Sequence, residues 1–220
     1  MNIKLNVKFW GAAAALVLGA ALAGCGGKQQ FAVQGTITGL NNAGLVLANG
    51  SDTLTVPAGA SSFVMPKQID YGTSFNVVVQ TPPAHQNCSP VAATASGSAG
   101  HTIAIAVQIN CYQNAYTVGG KFSGLFANND ATATTAATPR TVTLLNGTTG
   151  GQLSVSSAGA DSATPGAGLF SFASVVRYGD AYGVTILSQP ADLNCTLVNG
   201  SGIMPESAVS NLVLTCVPKT

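Results

Sequence analysis

Charge is what this sequence has least of. Only 7% of its 220 residues are Asp, Glu, Lys or Arg, against ~25% in an ordinary soluble domain. The 8 Lys and Arg nearly balance the 7 Asp and Glu. No basic patch is available to neutralise phosphates and there is no acidic tail, which excludes nucleic acid as an expected partner. Electrostatic steering of a charged substrate is equally weak. Ser, Thr, Asn and Gln must solvate the surface instead. Aromatic residues make up 6%, with a single Trp, Trp10. Only two histidines exist, His85 and His101, and neither has ligand-type neighbours at metal-binding spacing. There is no Asp-rich calcium loop. Gly97-Ser98-Ala99-Gly100-His101 lacks the Gly-x-Ser-x-Gly elbow of a nucleophilic serine and reads as a Ser/Gly turn. Asp52 and Asp70, each beside a turn, do not form the paired carboxylates of a glycosidase. No catalytic residue, cofactor or metal is therefore expected, and an enzyme is not.

Long apolar runs are also scarce. One exists, Phe9 to Ala23, about fifteen residues and short of the ~20 that span a bilayer. Lys4 and Lys8 precede it without an acidic residue, and Ala23-Gly24 follow as small residues. That is the layout of a secretory signal over residues 1–24. Leu22-Ala23-Gly24-Cys25 resembles the bacterial lipobox, in which the Cys after two small residues is thioether-linked to diacylglycerol. The competing readings are a plain signal peptide with a chance Cys, and an uncleaved anchor. The resemblance implies acylation of Cys25 and membrane attachment through it, since each buried CH₂ contributes ~0.8 kcal/mol. It further implies the cell envelope. An Asp after the lipidated Cys resembles an inner-membrane retention signal; Gly26 stands there instead, which points to the outer membrane. Residues 25–30 form a short polar tether.

What the chain does contain is a duplication. Phe31-Ala-Val-Gln-Gly35 recurs as Tyr116-Thr-Val-Gly-Gly120, each followed by a Gly-Leu pair, Gly39-Leu40 and Gly124-Leu125. Leu45 to Gly50 matches a stretch ending at Gly147, and Thr53–Val56 matches Gln152–Val155. Phe63 to Cys88 then aligns without a gap to Phe170 to Cys195, placing Tyr71-Gly72 on Tyr178-Gly179 and Pro83-Ala84 on Pro190-Ala191. Two domains follow, 31–111 and 116–216, joined by the very short link Tyr112 to Ala115, so their relative motion should be restricted. The second copy is longer, with extra residues in Ala127–Pro139 and Ser157–Gly168 that read as loops.

Within each copy the apolar residues alternate, and Gly, Pro and Asn-Gly punctuate them. Seven strands are expected in copy one: Phe31–Thr38, Ala43–Asn49, Thr53–Val56, Ser62–Met65, Ser74–Thr81, one around Cys88, and His101–Cys111. In the last, Ile103, Ile105, Val107, Ile109 and Cys111 share one parity and should face the core. Apart from Cys25, four cysteines remain in an exported chain, which implies disulfides. Three pairings are formally possible. The repeat selects pairing within each copy, Cys88–Cys111 and Cys195–Cys216.

The expected fold class is all-β: two tandem seven-stranded β-sandwiches after a lipoprotein signal peptide. The Gly-x-x-x-Gly-Leu segment, the Asn-Gly turn, Tyr-Gly and the following aromatic-x-Val-x-Val strand resemble prealbumin-like and immunoglobulin-like sandwiches, including bacterial surface stalk domains. An immunoglobulin domain proper would carry a central Trp and more widely spaced cysteines; stalk domains lack this late Cys pair. The tandem repeats also resemble those of proteobacterial lipoproteins, which brings no known activity. The expected function is a non-catalytic, membrane-anchored structural, adhesion or protein-interaction module of the envelope. The alternative is a small-ligand or glycan binder using the loops of copy two.

Overall fold

The computed structural model describes residues 28–127, 138–147 and 151–220. Cys25 and most of the Ala127–Pro139 insertion lie outside them. The described chain is nearly all β. The first half contains β1 (Gln30–Thr38), β2 (Leu45–Asn49), β3 (Asp52–Val56), β4 (Ser62–Asp70), β5 (Ser74–Thr81), β6 (Gln86–Pro90), β7 (Ser96–Ser98) and β8 (Ile105–Gln113), with one helical turn, α1 (Ala92–Ala95). The second contains β9 (Ala115–Ser123), β10 (Thr141–Asn146), β11 (Gln152–Ser156), β12 (Gly168–Arg177), β13 (Ala181–Ser188), β14 (Leu193–Val198), β15 (Ser201–Ile203) and β16 (Val209–Pro218).

Each half folds into two four-stranded sheets. Their order is β4-β1-β8-β6 and β3-β2-β5-β7 in the first half, and β12-β9-β16-β14 and β11-β10-β13-β15 in the second. The two orders are the same, so the duplication seen in the sequence is a duplication of topology. In each first sheet the opening strand runs parallel to the closing one, β1 with β8 and β9 with β16, while the other pairs are antiparallel. Val33, Ile37, Leu45, Leu47, Val77, Val107 and Ile109 fill the first core; Val118, Val142, Leu144, Phe172, Leu212 and Leu214 fill the second. Their alternation along each strand is what a half-buried sheet requires.

Two repeated glycine positions explain why the two copies match. A Cβ on Gly35 would lie 1.9 Å from the Val107 carbonyl oxygen, and one on Gly120 would lie 2.0 Å from that of Leu212. Both strands therefore approach their parallel neighbour too closely for any side chain. Gly39 and Gly124 follow at φ 79° and 75°, a left-handed turn that also brings their backbone against the Cys111 and Cys216 carbonyls. The Gly-x-x-x-Gly-Leu motif is thus one close strand contact followed by one turn.

Cys88 stands directly opposite Cys111 in the β6–β8 ladder, and Cys195 opposite Cys216 in β14–β16. Each pair is disulfide-bonded and buried. Within a sandwich the bridge ties the closing strand to its outer neighbour.

Three local expectations are corrected. Among the described residues each sandwich has eight strands rather than seven, because short edge strands, β7 and β15, add to β5 and β13. Three residues of Ser/Gly-rich sequence carry too little apolar periodicity to be seen. β4 extends to Asp70 instead of ending at Met65, since its second part pairs with the start of β1 after a bulge. Ile103 is not in the core: β8 starts at Ile105, and Ile103 sits fully exposed in the preceding loop. Its parity agrees with the strand, but Thr102 Oγ1 bonds the Ala104 carbonyl and holds the chain in a turn there.

Candidate functional site at the joint between the sandwiches

The two sandwiches are joined by one residue. β8 ends at Gln113 and β9 starts at Ala115, leaving Asn114 between strands. Asn114 is bonded from both sides. Its N–H donates to the His85 carbonyl at 2.9 Å in the first sandwich, and its carbonyl accepts from the Tyr178 N–H at 2.7 Å in the second. Its side-chain amide donates to Glu206 Oε1 at 2.9 Å.

The side chains that close the joint come from turns. Pro82-Pro83 end β5, and His85 follows at φ 57°, in the left-handed region. The ring stacks on Tyr178 with centroids 3.9 Å apart and planes 13° from parallel. His85 Nδ1 also meets Glu206 Oε2. Glu206 is positioned by the turn after β15, where Met204 N–H bonds the Asp180 carbonyl and Gly179 N–H bonds the Met204 carbonyl. The Asn114 amide first, and the His85 imidazole second, hold the Glu206 carboxyl below its ordinary range. Both stabilise the carboxylate form.

Beside this clasp lies a cleft of about 1080 Å³ between the sandwiches. Asn41 and Tyr112 line it from the first; Asn146, Val175, Arg177 and Asp180 line it from the second. Asn146 is buried, with its Oδ1 accepting from Gly183 N–H at 3.1 Å, and its Nδ2 has no partner. Its counterpart Asn49 accepts from Asn76 N–H at 2.9 Å in the same way. The Asn of each Asn-Gly turn therefore clamps the neighbouring strand, and the second, Asn146, also lines the cleft.

Of the residues singled out in sequence, the four paired cysteines sit in the cores, and Cys111 also borders the cleft. The two tyrosines are engaged through their rings: Tyr178 stacks on His85, and Tyr71 lies 6.4 Å from Phe31. His101 and His85 are not brought together. His85, Asn114 and Glu206 were not expected as a set. The available signal was that copy two has Asp192 where copy one has His85, and Glu206 close to where copy one has His101. Positions that a duplication does not preserve are positions used differently, and here they meet across the joint. Among the described residues no three His, Cys, Asp or Glu side chains stand together as a metal set.

No family model matches this chain. No curated protein matches it either. Among solved structures it is similar to the major pilin of Streptococcus pyogenes at 10% identity, covering 86% of this chain and 98% of that one with a TM-score of 0.25. A second major pilin from that organism gives 9% identity, 87% and 98% coverage, and a TM-score of 0.27.

Proposed function

We propose that the protein is a non-catalytic lipoprotein of the cell envelope, anchored by acylated Cys25, that holds two sandwiches in tandem as a structural, adhesion or protein-interaction module. The observation that carries this reading is the joint. A flexible linker would let each sandwich tumble separately. Here one residue links them, with backbone hydrogen bonds on both sides and a ring stack and a His85–Glu206 contact beside it. A chain built this way transmits position from an anchored end to a displayed end. The lipobox supplies the anchor, and the outer membrane is its proposed place.

The test is fractionation of cells expressing Cys25→Ser. Acyl labelling should vanish and the protein should leave the membrane fraction. Continued labelling would reject the anchor.

The cleft supports a second reading, binding of a small ligand or glycan. An unpartnered buried amide, an exposed Tyr112 ring and the Arg177 and Asp180 side chains are groups that hold sugar hydroxyls and C–H faces. It moves the ligand site from the loops of the second sandwich to the joint. Titration of the soluble mature chain with neutral oligosaccharides separates the readings: heat of binding lost in Tyr112→Ala favours a binder.

A further inference from the structure

The joint surface exists twice, and among the described residues only one copy is covered. In the second sandwich it consists of the start of β9, the Tyr178-Gly179 turn and the approach to β16, and the first sandwich sits on it. The repeat puts the same elements at the outer end of the first sandwich: the start of β1, the Tyr71-Gly72 turn and the loop before β8. Registers place them together. Gln30 pairs with Asp70, and Val33 lies abreast of Ile105, the first residue of β8, so the loop carrying Ile103 enters β8 at this end. Gly72 N–H bonds the Ala99 carbonyl at 2.9 Å and Ala99 N–H bonds that of Thr73 at 2.9 Å, fastening the turn to this end.

This end exposes two large apolar side chains among polar ones such as Gln30, Thr73, His101 and Thr102. Tyr71 is 66% exposed and Ile103 is fully so. The Tyr71 ring lies against Gly100, where a Cβ would meet ring atoms at 2.3 Å. Among the described residues no imidazole stacks on it as His85 stacks on Tyr178. The nearby charges offset each other, Lys28 Nζ lying 4.0 Å from Asp70 Oδ2.

The chain leading away from this end decides what covers it. Lys28, just before β1, is three residues from Cys25, which an extended chain spans in at most about 10 Å. With acyl chains on Cys25, the Tyr71 face cannot stand away from the bilayer. Tyrosine, with an apolar ring and a polar tip, suits the headgroup boundary, and an isoleucine beside it adds apolar area to bury there. We infer that this end of the first sandwich is a membrane-contact face, with Tyr71 and Ile103 seated in the headgroup region and the second sandwich directed away. The inference rests on acylation of Cys25.

Trp10 is the only Trp and precedes Cys25, so the mature chain has none and one introduced indole reports alone. Ile103→Trp is prepared as the acylated protein and reconstituted into phosphatidylethanolamine–phosphatidylglycerol vesicles with brominated acyl chains. Phe126→Trp, on the second sandwich and half exposed, is the control. The expected result is a blue-shifted, bromine-quenched emission for Ile103→Trp and an unquenched one for Phe126→Trp. Equal, unquenched emission from both in acylated, vesicle-bound protein would overturn the contact face while leaving the anchor intact. A blue shift of Ile103→Trp that depends on protein concentration and not on vesicles would overturn it in favour of a second copy on that face. Absence of acyl mass on Cys25, with no flotation, would remove the anchor and the contact face together.

Discussion

Removing one disulfide should destabilise one sandwich and spare the other. The Cys88–Cys111 bridge has a sequence separation of 23. The loop-closure relation then gives about 3.4 kcal/mol of stabilisation through the unfolded state. For Cys195–Cys216 the separation is 21, and the two effects should differ by only about 0.1 kcal/mol. A sandwich the size of residues 31–111 has a total stability of about 4–12 kcal/mol at ordinary values per residue. Loss of one bridge therefore consumes about a quarter or more of it, equivalent to a fall of about 14–27 °C in Tm. Cys88→Ala/Cys111→Ala is the perturbation. Both side chains are buried, so loss of their packing adds to the effect rather than opposing it. Calorimetry of the full mature chain should show the single wild-type region split into two, with hydrogen exchange locating the early transition in 31–111. A loss below about 1 kcal/mol would refute the loop-closure argument. An equal loss in both halves would refute separate cores.

Gly35→Ala and Gly120→Ala should each be among the most damaging single substitutions, at about 3 kcal/mol or more, because the new Cβ meets a backbone carbonyl oxygen at 1.9 or 2.0 Å; denaturant midpoints check this. Asn49→Ala should cost about 1 kcal/mol by losing the bond to Asn76 N–H, read by the same assay. Glu206→Gln should loosen the joint without unfolding either sandwich, visible as a broader interdomain distance distribution between spin labels. The pH dependence follows from the same group. Glu206 has a folded pKa below its unfolded value, so its contribution to the joint is fully present above the ordinary carboxylate range and is lost as pH falls through the depressed folded value. The distance distribution should therefore be unchanged on approaching the carboxylate range from neutrality and broaden below it, and Glu206→Gln should lack that acid step.

The repeat was legible because backbone constraints impose it. Gly35 and Gly120 recur since no side chain fits between the parallel strands, and the cysteines recur since each sits opposite its partner on a core-facing position. Alternation revealed which residues face inward, but alternation has no way to mark where a strand begins. Ile103 kept the parity of β8 while lying in a loop. β7 and β15 were invisible because three-residue edge pairings leave almost no apolar signature. The joint was the least legible feature. His85 and Glu206 are 121 positions apart, and no local pattern relates a left-handed turn in one copy to a turn after an edge strand in the other.

The central claim is that two stapled sandwiches are held at a membrane by one modified residue. Its most direct test is peptide mass mapping of the protein isolated from bacterial membranes. The first residue should be Cys25, carrying diacylglycerol, with Met1–Gly24 absent. A chain that retains Met1, or one that begins elsewhere with Cys25 as an unmodified thiol, would contradict it.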